Sequence, residues 1–119
     1  MKQLGLIIRK IFALSVMAKA SHINASTIGS YAKHKAFGDF YEFVDELADR
    51  VSEHSIGMMY IPSVELSMLE CTGDTIQNAM MVYKELYDFA EGIEDEALCN
   101  MCAEFHEAIG KLKYMNTFK

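Results

Sequence analysis

Two aspartates and a histidine recur at helical spacing in the middle of the chain. Asp45 and Asp49 are four residues apart, and His34 precedes Asp45 by eleven. At about 100° per residue, Asp45 lies about 20° and Asp49 about 60° from His34 on a helix. They form a polar stripe on the border of an apolar stripe, a position that predicts a contact between subunits. Carboxylate oxygens combined with imidazole nitrogen suit iron, manganese or zinc.

His22 is the candidate fourth ligand of this metal site. It follows Ala18 by four residues and therefore continues the apolar stripe of the helix predicted before it. Structural interpretations remain open beside the metal site. Asp45 and Asp49 are alternatively solvated helix charges, His34 a boundary residue, and His22 a residue that binds the last carbonyls of its own helix.

A second group of residues suits zinc. Cys99, Cys102 and His106 stand at i, i+3 and i+7, so they share one face of a helix, and Cys71 is available to complete a tetrahedron. The alternative is that Cys99 and Cys102 are small buried residues, because structural zinc sites usually take ligands from turns. Three cysteines cannot all pair within one chain, which favours a reducing, cytoplasmic location.

Glycines, one proline and capping residues divide the chain into the elements that must position these groups. Between the second and third helices, Gly57 and Pro62 interrupt the pattern, and Ser63 is a suitable cap for a short helix that ends at Leu69. We predict four long helices, from about Leu4 to Ala25, from Tyr31 to Ser55, from Asp74 to Gly92 and from Asp95 to Met115.

Length and composition predict one domain over residues 1–119. Hydrophobic residues make up 51% of the 119 residues, there is one proline, and no segment alternates polar and apolar residues. These features favour an all-α fold, a four-helix bundle with one long crossover and a short extra helix within it. Ferritin-like proteins are the commonest class with that layout.

Charge and apolar run length narrow the classes of partner. The net charge of −6 repels phosphate backbones and attracts cations, so DNA binding is disfavoured. No apolar run approaches the ~20 residues that span a bilayer, so no membrane partner is expected. Lys2, Arg9 and Lys10 precede an apolar run, as in a secretory signal, but we predict an uncleaved structural helix here.

The segments around the histidines and aspartates resemble those of the Dps, or mini-ferritin, family. The resemblance rests on Ser21-His22-Ile23-Asn24, on His34 and on the run from Phe40 to Val51, which contains Asp45-Glu46-Leu47-Ala48-Asp49-Arg50. The family carries a histidine late in its first helix and a D-x-x-x-[DE]-R segment in its second. Aligned through residues 48–50, His34 falls where the family usually has an aspartate, and Ser30 falls where it usually has its second histidine.

The resemblance implies a shared site between subunits. His22 and His34 of one chain would face Asp45 and Asp49 of a neighbour, bind Fe²⁺ and oxidise it with peroxide or oxygen. Tyr41, one turn away, would supply a hydrogen bond or an electron. The ferric product would be stored in a homo-oligomeric shell, which in this family is a dodecamer, and the lysine-rich tail used to condense DNA is missing. The alternative function is a degenerate ferritin-like bundle that acts as a structural or protein-interaction module.

Overall fold

Four helices account for most of the chain. The computed structural model describes residues 1–27 and 29–117 and contains no strand among them. The helices are α1 (Lys2–Thr27), α2 (Tyr31–Gly57), α3 (Thr75–Gly92) and α4 (Glu96–Met115). The all-α prediction is therefore confirmed, and each predicted helix end lies at most two residues from the observed one.

Local capping determines where three of the helices begin. In each case a side-chain oxygen accepts a hydrogen bond from a backbone N–H three residues later, which satisfies a donor that has no partner within the helix. Gly29, with φ of +76°, makes the turn between α1 and α2. The caps and their donors are Ser30 with Lys33, Asp74 with Gln77 and Asp95 with Leu98.

One apolar core holds the four helices together. Its completely or almost completely buried side chains recur at spacings of three and four along each helix, as the sequence pattern predicts. The largest of these are Leu4, Ile8, Ile11, Leu14, Leu47, Leu86, Leu98, Phe105 and Leu112.

Each helix packs against two neighbours that run antiparallel to it. α1 contacts α2 and α3, α4 also contacts α2 and α3, and within the described residues the pairs α1–α4 and α2–α3 lie on the diagonals. The contacts that establish this order are Ser15–Asp45 and His22–His34 (α1–α2), Lys10–Glu85 and Ser21–Thr75 (α1–α3), and Arg50–Glu104 and His54–Asp95 (α2–α4).

The long crossover, residues 58–74, follows α1 from one end of the bundle to the other. The Met1 ammonium donates to the carbonyl of Tyr60 at 3.3 Å. Further along, Arg9 Nη2 donates to the carbonyls of Ser67 and Met68. The crossover therefore returns the chain to the opposite end of the bundle, which makes the diagonal helices α2 and α3 parallel.

The short helix predicted from Ser63 to Leu69 is not confirmed. The crossover contains bends and one turn but no helical residue. Met68 has φ of +60°, a left-handed conformation that interrupts a right-handed helix. A six-residue helix forms too few hydrogen bonds to offset the cost of its nucleation, and here Arg9 binds two of the carbonyls instead.

Candidate functional site

The imidazoles of His22 and His34 lie face to face at one end of the bundle. Their ring centroids are 3.8 Å apart and their planes differ by 22°. His22 belongs to the last turns of α1 and His34 to the first turn of α2, so the tight connection around Gly29 brings them together. The structure thus joins two of the four predicted ligands.

Hydrogen bonds determine the tautomer of both rings. His22 Nδ1 lies at 2.5 Å from the carbonyl oxygen of His34, and His34 Nδ1 lies at 2.8 Å from that of His22. Because a carbonyl oxygen can only accept, each Nδ1 must carry the proton and donate it. The remaining nitrogen, Nε2, is then the atom with a lone pair, and a backbone partner at Nδ1 is the usual support for a ligating histidine.

Gly38 is what allows His22 to lie against α2. A Cβ atom at this position would meet His22 Nδ1 at 2.8 Å and His22 Cε1 at 2.9 Å. Tyr41 borders the pair, with its ring centroid 5.7 Å from that of His22, and Lys19 Nζ lies 5.8 Å from the centre of the Tyr41 ring. The histidine pair is therefore enclosed by small and aromatic residues and has no carboxylate from its own chain beside it.

Asp45 and Asp49 are exposed on α2, away from the histidines. Eleven residues separate His34 from Asp45, which corresponds to about 16 Å along a helix. Asp45 accepts only a long hydrogen bond, 3.4 Å, from Ser15 Oγ. Within one chain the two predicted halves of the site do not meet, and no group of three or more ligating side chains is found among residues 1–27 and 29–117.

The stacked arrangement also limits what the histidines can bind. The lone pair of each Nε2 lies in the plane of its ring, and the two planes are nearly parallel and offset. One ion can therefore be bound in the plane of only one ring at a time, and its other ligands must come from outside this chain. Carboxylates of a second subunit are the ligands that the sequence predicts.

The zinc alternative is not assembled. Cys102 is completely buried in the core, and burial, with a smaller contribution from Cys99, raises the pKa of its thiol to about 12. Cys71 lies 3.8 Å from the carbonyl of Ala13 on α1, which is diagonal to α4. His106 stacks on Tyr83 at 4.8 Å. The cysteines cannot form one tetrahedron because they occupy opposite sides of the bundle.

A second histidine cluster, which the sequence patterns did not predict, lies at the other end of the bundle. His54 Nε2 and the Tyr60 hydroxyl bind the same carboxylate oxygen of Asp95 at 2.8 and 2.6 Å, while its other oxygen accepts from the backbone N–H of Leu98. In sequence, Asp95 was noticeable only as an acidic residue at a helix start. Its partners lie 35 and 41 residues away, so no local spacing reveals them.

The electrostatics of this cluster follow from its hydrogen bonds. Burial alone would raise the pKa of Asp95, but the bonds from Tyr60, His54 and Leu98 outweigh it and lower the pKa to about 2. Conversely, the bond to Asp95 raises the pKa of Tyr60. The carboxylate is fully committed to protein donors, so it acts as a clamp between α2, the crossover and α4 rather than as a ligand.

Two further findings bear on function. Among the described residues, no helix is both long and apolar enough to cross a membrane. Comparison of the chain with protein-family models, curated proteins and solved structures found no match.

Proposed function

We propose that this protein is a Dps-like iron-binding protein that oxidises ferrous iron at a site shared between subunits. The observation that carries the proposal is the His22–His34 pair, in which both Nδ1 atoms are held by backbone carbonyls and both Nε2 atoms are left as donors. Asp45 and Asp49, exposed on the same helix as His34, supply the carboxylates from a neighbouring copy.

The connectivity of the bundle supports this proposal. Four helices with antiparallel neighbours and one crossover that runs the length of the bundle are the arrangement of ferritin-like proteins. The crossover of this chain places α2 and α3 on a diagonal. Since a fold does not imply a function, this observation supports the scaffold and not the chemistry.

The chemistry follows from the donors. Carboxylate oxygen and imidazole nitrogen both bind ferrous iron, and anionic oxygen stabilises the ferric charge more strongly than the ferrous charge. Binding at such a site therefore favours loss of an electron to peroxide or oxygen. The net charge of −6 attracts the cation, and we assign the reaction to the cytoplasm, where the three unpaired thiols would remain reduced.

The test is a comparison of variants on two faces of α2. Ferrous iron and peroxide mixed with the protein should give ferric absorbance faster than in buffer, and the double variant Asp45→Ala, Asp49→Ala should lose that acceleration. The matched control, Glu42→Ala with Glu46→Ala, removes the same charge from the same helix and should retain it. Equal rates for the two double variants would remove the assigned site.

Assembly provides a separate test. Storage of ferric mineral requires a closed shell, so light scattering should show a large symmetric homo-oligomer, as the dodecamer of the resembled family would give. A stable monomer or dimer would leave no cavity for mineral, and the storage part of the proposal would be wrong.

A second candidate function is a non-catalytic bundle that serves as a structural or interaction module. One observation favours it: the reciprocal bonds of His22 and His34 also fasten the end of α1 to the start of α2 without any metal. Under this function, the His22→Ala variant would lose stability while the wild-type protein would not accelerate iron oxidation at all.

A further inference from the structure

Charge is segregated along the chain in a way that the iron proposal does not use. The first 38 residues contain six lysines and arginines and no aspartate or glutamate. From Asp39 to Glu53, α2 then carries six acidic residues and a single base, Arg50. One helix therefore has a basic first third and an acidic remainder.

The same polarity is visible on the outer side of the α1–α2 pair, which we call the α1–α2 face: Val16, Lys19, Ile23, His34, Tyr41, Asp45 and Asp49. Lys19 lies over Tyr41, close to the basic end, whereas Asp45 and Asp49 lie at the acidic end. Val16 and Ile23, one turn to either side of Lys19, are 52% and 53% exposed. The face combines exposed apolar side chains with charges of opposite sign at its two ends.

We propose that the α1–α2 face binds the α1–α2 face of a second copy, with the two α2 helices antiparallel and a two-fold axis at Tyr41. This inference deepens the proposed function and rests on it for the identity of the ligands, because it names the partner that completes the His/Asp site. The dimer itself follows from charge: an antiparallel copy places each basic end against an acidic end, whereas a parallel copy would oppose like charges.

The register follows from the axis. Around a two-fold axis at Tyr41, each residue of α2 lies level with the residue at the same distance on the other side of position 41. His34 is then level with position 48 of the partner, within one helical turn of both the partner's Asp45 and the partner's Asp49. Lys35 comes level with position 47, next to the partner's Glu46. Tyr41 meets its own copy, and Gly38 allows the close approach of the backbones.

A cross-linking experiment tests the axis. Only a residue close to a two-fold axis can form a disulfide with its own copy, because the two Cα atoms must lie within about 7 Å. In a Cys71→Ser background, Tyr41→Cys should oxidise to a covalent dimer, whereas Met80→Cys, which is 46% exposed on α3, should not. Equal dimer yields from the two variants, or none from Tyr41→Cys, would overturn the proposed axis.

Charge reversal tests the cause of association. Reversing the basic end with Lys19→Glu and Lys35→Glu should weaken the dimer on the order of ten-fold or more, as should Asp45→Lys with Asp49→Lys. The quadruple variant should recover association, because both ends are reversed together. The control, Lys84→Glu with Lys113→Glu, changes the charge equally on α3 and α4 and should leave the dimer unchanged in sedimentation experiments. If the quadruple variant does not recover, the charge argument is wrong.

These outcomes separate the two proposals. A protein that cross-links through Tyr41→Cys but does not oxidise iron keeps the dimer and loses the iron function. A protein that oxidises iron at Asp45 and Asp49 without this cross-link keeps the iron function and loses the register proposed here. Association with a different acidic partner, such as nucleic acid, would appear as salt-sensitive binding to that partner without the Tyr41 cross-link, and it would also overturn the inference.

Discussion

The two ends of the bundle each hold a histidine cluster, and the clusters differ in what their nitrogens are bound to. At the α1–α2 turn, His22 and His34 donate to backbone carbonyls and keep Nε2 as an available donor. At the opposite end, His54 uses Nε2 itself to bind Asp95, whose side chain is only 5% exposed. The first arrangement prepares nitrogen atoms for a ligand, and the second consumes them in holding the fold together.

The difference teaches that a histidine with a nearby carboxylate is not by itself a site. Asp95 has three protein donors, and so it has nothing left to offer a metal. Asp45 and Asp49 are exposed and have almost no protein partners, which is costly for neither the fold nor the helix and leaves them available. Variants at the two ends should therefore separate stability from binding.

The largest effect is expected at Asp95. Asp95→Ala removes the cap of α4 and leaves the hydrogens of His54 and Tyr60 without an acceptor, which together should cost about 3 kcal/mol of unfolding free energy. Asp74→Ala, which removes a cap with one exposed hydrogen bond, should cost about 1 kcal/mol. Urea denaturation measures both, and equal losses would show that the His54 and Tyr60 bonds contribute nothing.

The next effect is the loss of stability in acid. The pKa of Asp95 is lowered to about 2 from an ordinary 3.8, so in this range the unfolded chain binds more protons than the folded one. The stabilising contribution should be complete above about pH 4 and disappear as the pH falls toward 2. Asp95→Asn, which keeps the shape without the charge, should flatten this part of the curve of stability against pH; an unchanged slope would contradict the assignment.

A smaller effect is expected at Gly38, where geometry and stability diverge. A glycine in a helix interior usually becomes more stable by up to about 1 kcal/mol when replaced by alanine, and Gly110, with open space around its Cβ position, should show that gain. Gly38→Ala should not, because the new Cβ displaces His22. The ring ¹⁵N shifts of His22 should change in Gly38→Ala and remain unchanged in Gly110→Ala.

The smallest effect is expected at Ser26, whose hydroxyl also approaches His34 Nδ1, at 2.6 Å. Because the carbonyl of His22 already determines the tautomer, Ser26→Ala should cost less than about 0.5 kcal/mol. It should also leave His34 protonated at Nδ1 in ¹⁵N spectra. A switch of the proton to Nε2 would mean that the hydroxyl, rather than the backbone, prepares the nitrogen for binding.

Local patterns predicted the helices well and the crossover poorly. The apolar spacing and the caps Ser30, Asp74 and Asp95 act over three or four residues, so they can be read directly from the chain. The helix predicted from Ser63 to Leu69 failed because the carbonyls of Ser67 and Met68 are bound by Arg9, about 58 residues away. A distant partner overrode a local preference.

The amino-acid sequence by itself determined the four helices, the apolar core and the separation of basic from acidic charge, since periodicity and composition are properties of neighbouring residues. Only the tertiary structure decided that His22 stacks on His34, that Gly38 makes room for it, and that His54, Tyr60 and Asp95 share a buried proton-bonding network. The physical reason is distance along the chain. Residues 12 to 41 positions apart meet only after the helices have packed, and their contacts then decide which polar groups are occupied and which remain free to bind.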